Sequence, residues 1–135
     1  MLKGSCLCGA VRFVAEGPLK LMACCHCVQC RKASGAEFAS NATVKACGFQ
    51  LLAGESALKE YESSPGNFRV FCHECGSPLY ARSASHPAYV RLRLGCLDTE
   101  FDERPLCHIF VSEKPNWSKV SDDLPTFDTV PEKTG

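Results

Sequence analysis

The chain has 135 residues, with 15 Lys and Arg against 15 Asp and Glu and a formal net charge of zero. A single domain of this size hides roughly two-thirds of its unfolded surface, enough for a core. The balanced charge gives no electrostatic footprint for a nucleic-acid partner. The sequence has no apolar run of the ~18 residues a membrane helix needs, and its first residues, Met-Leu-Lys-Gly-Ser, run straight into a cysteine motif with no room for a secretory signal.

Most segments read as short strands. Ala10–Ala15 alternates, with Val11 and Phe13 on one face. Val28–Ala33 follows a cysteine group and reads as one short turn of helix. Phe49–Leu52 and Leu58–Glu62 flank Ala53-Gly54-Glu55-Ser56, which reads as a hairpin turn. Phe68–Phe71, Leu79–Arg82 and His108–Ser112 are further strand candidates. Tyr89–Leu94 alternates most cleanly: Val90, Leu92 and Leu94 face one way, Arg91 and Arg93 the other. The expected fold class is all-β, with small sheets organised around metal. Residues 1–128 form one domain, and the tail 129–135 is expected to fray.

Seven of the 11 cysteines fall into three tight groups: Cys6-x-Cys8, Cys25-x-Cys27-x-x-Cys30 and Cys72-x-x-Cys75. The odd total, the missing export signal and the close spacing favour metal over disulfides, and imply a reducing, cytoplasmic compartment. The first and last groups share a design. Each ends in a glycine, Gly9 or Gly76, able to take the positive φ of a tight metal-binding turn. Cys6, Cys8, Cys72 and Cys75 are therefore assigned to one closed, structural, four-sulfur zinc site.

The middle group puts three thiolates within six residues. Three sulfurs on zinc leave one position for water or a soft incoming thiol, which loses its proton on coordination and becomes nucleophilic. Alternatively the site is closed by a fourth ligand: His26, Cys24, or the more distant Cys47, Cys96 or Cys107. Arg31 and Lys32 follow directly and are candidates to hold the carboxylates of a substrate, or are a solvated pair. His108, in an apolar stretch, is read as a core histidine or an acid–base group. Trp117 is read as a cap on the core in preference to a pocket wall, and His73 as a solvent-facing spacer inside the last cysteine pair.

Gly4-Ser5-Cys6-Leu7-Cys8-Gly9-Ala10-Val11, Cys25-His26-Cys27-x-x-Cys30-Arg31-Lys32 and Phe71-Cys72-x-x-Cys75-Gly76-Ser77-Pro78-Leu79 resemble the glutathione-dependent formaldehyde-activating enzyme family, which includes the domain of centromere protein V. Gly95-Cys96-Leu97-Asp98, His108-Ile109-Phe110-Val111 and Asp122-Asp123-Leu124-Pro125-x-Phe127 extend the resemblance over about residues 4–128. It implies a β-tent-like fold related to zinc ribbons, and two Zn²⁺ per chain. One is structural, on Cys6, Cys8, Cys72 and Cys75. The other is catalytic, on Cys25, Cys27 and Cys30. It implies a carbon–sulfur lyase that joins a thiol such as glutathione to formaldehyde as S-hydroxymethylglutathione. A non-catalytic thiol-binding or protein-interaction domain is the alternative. Exposed strand edges leave a homodimer open.

Overall fold

The computed structural model describes residues 1–131 and is β-rich, with ten strands and one α-helix. The strands are β1 (Leu2–Ser5), β2 (Arg12–Ala15), β3 (Lys20–Cys25), β4 (Ala39–Lys45), β5 (Phe49–Ala53), β6 (Leu58–Ser64), β7 (Asn67–Cys72), β8 (Pro78–Ser83), β9 (Tyr89–Arg93) and β10 (Cys107–Ile109). The helix α1 spans Val28–Ser34, where the sequence predicts it. A three-stranded sheet of order β1-β2-β5 faces a seven-stranded sheet of order β10-β3-β4-β9-β8-β7-β6. The pairings between these strands are antiparallel except β10 with β3, which is parallel, and His108 of β10 also bridges Thr126 in parallel.

The alternation in the sequence explains the core. Val11, Phe13 and Ala15 bury the inner face of the small sheet, and Ala42, Val44, Leu79, Val90 and Leu92 the inner face of the large one. Phe13, Phe49 and Tyr80 stack in a row, with ring centroids 5.2 and 4.9 Å apart, and join the two sheets. The far edge, β6, is exposed over Lys59–Glu62, and its charged Lys59, Glu60 and Glu62 discourage another strand from pairing there.

Three sequence expectations are corrected. Residues 53–56 are not a hairpin turn: β5 and β6 belong to different sheets, and the segment is the crossover between them. Gly54 permits it, with φ 89° and a backbone so close to the first cysteine turn that a Cβ would lie 2.3 Å from the Ala10 carbonyl oxygen. The strand expected at His108–Ser112 stops at Ile109, because Phe110 adopts a left-handed conformation (φ 54°) that starts a 3₁₀ turn over Val111–Glu113. Trp117 is exposed (67%), on the short turn closed by the Ser118 N–H to the Pro115 carbonyl, and not in the core.

The strands β1, β3 and β4 carried no clear periodic signal. In β3 the alternation is broken by Leu21, at φ 51°, where the register with β4 shifts. Of the tail expected to fray, residues 132–135 lie outside the described residues. Thr129 accepts a hydrogen bond from the Phe110 N–H at 2.9 Å. Among the described residues, no helix is long and apolar enough to cross a membrane.

Candidate metal centres

The first cysteine pair lies in the turn after β1 and the last at the end of β7. Each turn closes the same way: the Gly9 N–H donates to the Cys6 carbonyl at 3.1 Å, and the Gly76 N–H to the Cys72 carbonyl at 2.7 Å. Both glycines have φ 79°, the left-handed value their position after the second cysteine predicts. The Leu7 N–H donates to the Ser77 hydroxyl at 2.9 Å and ties the two turns together.

The sulfurs of Cys6, Cys8, Cys72 and Cys75 all lie within 4.8 Å of one another. Cys6 and Cys8 are 3.6 Å apart, and Cys8 and Cys72 3.9 Å. Four sulfurs at the usual ~2.3 Å around one zinc ion stand about 3.8 Å apart, so this donor set fits a tetrahedral soft metal. Backbone and hydroxyl donors favour negative sulfur at Cys6 and Cys75. The Val11 N–H points at Cys6 Sγ at 3.2 Å. The Ser77 hydroxyl, with the Ser77 and Cys8 N–H groups, holds the Cys75 thiol down at about 5.

Cys25, Cys27 and Cys30 form a second group, their sulfurs also within 4.8 Å of one another. Cys25 ends β3, and Cys27 is the N-cap of α1, its sulfur accepting the Cys30 N–H at 3.3 Å. Helix geometry then brings Cys30, three residues on, back over the same side. Cys25 pairs with Ala39, and Asn41 with Arg93, which places the group on the outer face of the large sheet, away from the core. Among the described residues no other His, Cys, Asp or Glu joins the three sulfurs.

Two arginines stand behind this group. The Arg69 guanidinium reaches Cys30 Sγ with both terminal nitrogens, at 3.7 and 3.8 Å. Arg93 is buried, hydrogen-bonded to Asn41 Oδ1, and feels the Cys30 and Cys25 sulfurs electrostatically. Hydrogen bonds from Cys25 and Cys27, then the Arg69 charge, hold the Cys30 thiol at about 2, while the same bonds push the Cys25 thiol up. Arg69→Met should therefore weaken metal retention by this group roughly tenfold, as loss of a supporting partner typically does. Competition with a chelator, followed by mass spectrometry, reads it. Unchanged retention would remove Arg69 from the site.

The other candidates are placed as follows. His26 Nε2 is 2.8 Å from His108 Nδ1, and His108 Nε2 is 2.9 Å from Asp122, with Phe38 against both rings. His26 is thus turned away from the sulfurs. His108, 3% exposed, braces the cysteine loop from behind. Parallel pairing supports the same loop, since the His26 N–H donates to the Ile109 carbonyl at 3.0 Å. Arg31 clamps the protein itself: its Nε donates to the His26 carbonyl and its Nη2 to the Glu113 carbonyl. Lys32 is exposed on α1.

Cys96 donates to the Arg93 and Leu79 carbonyls, and burial pushes its thiol up to about 12. It is a core thiol outside both groups. So are Cys24 and Cys107, whose thiols burial also pushes up, while Cys47 is exposed. His73 is exposed as expected, against the Ser56 carbonyl. Arg69, Arg93 and the His26–His108–Asp122 chain escaped sequence reasoning. The alternation of Arg69 against Val70, and of Arg93 against Leu92, was the available signal.

Comparison with known proteins finds relatives over most of the chain. A Halomonas elongata protein named "Putative glutathione-dependent formaldehyde-activating enzyme" is 32% identical over 129 residues, covering 89% of this chain and 81% of that one. A Schizosaccharomyces pombe protein named an uncharacterized lyase is 28% identical over 122 residues, covering 82% and 86%. The crystal structure of a Rhodobacter sphaeroides protein superimposes with a TM-score of 0.63 at 24% identity, over 73% of this chain and 90% of that one, and supports the fold. Residues 1–113, most of the chain, match the sequence model described as glutathione-dependent formaldehyde-activating enzyme, and the chain therefore belongs to this family.

Proposed function

We propose that the protein is a zinc-dependent carbon–sulfur lyase, joining a glutathione-like thiol to a small aldehyde in the manner of an S-hydroxymethylglutathione synthase. The observation that carries this reading is the three-sulfur group: an outer-face cluster of Cys25, Cys27 and Cys30 with no fourth protein donor among the described residues, backed by Arg69 and Arg93. The donor chemistry fits zinc in both groups. Cys6, Cys8, Cys72 and Cys75 are read as the structural set and Cys25, Cys27 and Cys30 as the catalytic set. Zinc held by the catalytic set supplies Lewis acidity that favours the thiolate form of an incoming thiol.

The chain's own residues do the rest. Three cysteine thiolates on a divalent ion carry a net charge near −1, and a thiolate substrate would make it −2. The Arg69 and Arg93 guanidiniums offset that charge at close range, in a half-buried setting where screening is weak. The His26–His108–Asp122 chain and the Arg31 clamp hold the cysteine loop in place. In the forward direction a carbon–sulfur bond forms as sulfur attacks the aldehyde carbon, the carbonyl π pair moves to oxygen, and that oxygen takes the proton the thiol gave up. The reverse step breaks the same bond. Of the sequence-based candidates Arg31, Lys32 and His108, the exposed Lys32 is the one kept for substrate contact, since Arg31 is engaged by the His26 and Glu113 carbonyls and His108 is buried.

A reducing, cytoplasmic setting is part of the proposal, since two groups of free thiols would not survive oxidation. The test follows S-hydroxymethylglutathione formation by exchange NMR. Acceleration that scales with zinc-loaded enzyme and is lost in Cys27→Ser is expected. Thiol binding with no acceleration would instead make the protein a thiol-binding module.

A further inference from the structure

The outer face of the large sheet continues beyond the cysteines. Strand register puts Asn41 beside Arg93, Thr43 beside Arg91 and Lys45 beside Tyr89, while Ala81 lies between Arg91 and Arg69. Lys20 pairs with Thr43 on the same face. A cavity of about 900 Å³ has this surface as part of its wall, lined by Lys20, Thr43, Lys45, Ala81, Tyr89 and Arg91 among others. It begins one register step from Arg93 and Arg69, the two arginines against the cysteine group.

Charge is unevenly distributed here. Lys20, Lys45 and Arg91 line the cavity and, among the described residues, none makes an ion pair. Arg82 also lines it but is neutralised by Glu60 at 2.7 Å, and Glu16 is the acidic group on the wall. In a chain of zero net charge, this segregation of unpaired cations beside a thiolate centre marks a place for an anion.

Distance defines which anion. Along β9, Arg91 is two residues from Arg93 and Tyr89 is four, about 7 and 13 Å at the usual rise. A thiol peptide of two or three residues spans at most about 7–11 Å. We propose that the trough from Arg91 to Lys45 and Lys20 is the carboxylate subsite of the thiol substrate, holding an acidic thiol whose charged end lies about 7–11 Å along the strand from Arg93, where Arg91 meets it first. The inference rests on the lyase reading for the position of the sulfur. It makes selection among thiols depend on charge remote from the reacting atom. Short neutral thiols reach the cysteines but leave the trough empty. The arginine fork of Arg91 suits a carboxylate better than the lysines do.

The test titrates zinc-loaded protein with glutathione, S-methylglutathione and 2-mercaptoethanol by calorimetry. S-methylglutathione has no thiol to ionise, so it reports the trough separately from the cysteines. Arg91→Glu is expected to weaken glutathione and S-methylglutathione roughly tenfold or more, and to lower the ratio of glutathione to 2-mercaptoethanol affinity by a similar factor. Arg91 is exposed, so the fold should survive, and Arg91→Gln provides a milder second variant. Equal glutathione affinity in wild type and both variants overturns the subsite. So does a wild type that binds neither peptide. Arg91-dependent binding in a protein that shows no carbon–sulfur bond formation upholds the subsite and overturns the lyase reading instead.

Discussion

Cys75→Ser should cost the protein its cooperative fold, while Cys27→Ser should leave the fold intact and remove one metal. The asymmetry follows from where each cysteine sits. Cys75 belongs to a group that ties the turn after β1 to the end of β7, joining segments on both sheets. Structural zinc is worth roughly 10–16 kcal/mol in small zinc peptides, and losing even a third of that here would lower the melting temperature by about 10 °C or more. Cys27, by contrast, is half-buried on the outer face and serves α1 as its N-cap. Serine is among the best N-cap residues, so Cys27→Ser keeps an acceptor for the Cys30 N–H and should shift the melting temperature by only a few degrees. Circular dichroism and metal analysis check both. Wild type is expected to hold two zinc ions and Cys27→Ser one, and a mild chelator should strip the three-sulfur group first. Equal collapse of the two variants would erase the division into structural and catalytic sets.

Phe13→Ala should be the most damaging change away from metal. Phe13 is 1% exposed on β2, its ring 5.2 Å from that of Phe49 and lying directly over Gly4, where a Cβ would come within 2.2 Å of it. Gly4 therefore leaves the space that the ring fills, just ahead of Cys6. Truncation opens a cavity between the two sheets and should cost about 3–5 kcal/mol, measured by urea denaturation. It should also loosen the four-sulfur group without touching its ligands, seen as faster zinc loss. A cost below about 1 kcal/mol would mean that the sheets close over the gap.

Several features were legible because they are local. The two glycine-terminated cysteine turns need only their own sequence to close, and both adopt the φ that Gly9 and Gly76 predict. The alternation of Val90 and Leu92 against Arg91 correctly set the inner face of β9. Other features were not legible. The helix at Val28 and Cys27 as a ligand candidate were both expected, but not that the Cys27 sulfur would cap the helix. Gly54 looked like a hairpin residue, and only its fit against Ala10 reveals a crossover. Trp117 looked like core by composition, yet a turn carries it to the surface. His108 was read correctly as a core histidine in preference to an acid–base residue, but only the parallel pairing of β10 with β3 shows that it is buried behind the cysteine loop.

The sequence by itself determined the two cysteine sets, because chelating spacing and turn glycines act over a few residues, and it determined that the strands would be short and two-faced. Tertiary structure decided what surrounds the sulfurs. A period of two tells which side of its own strand an arginine occupies, but says nothing of which strand lies next to it or at what register. Only the pairing of β4, β9, β8 and β7 sets Arg69 and Arg93 against Cys30 and leaves Arg91 facing an open trough.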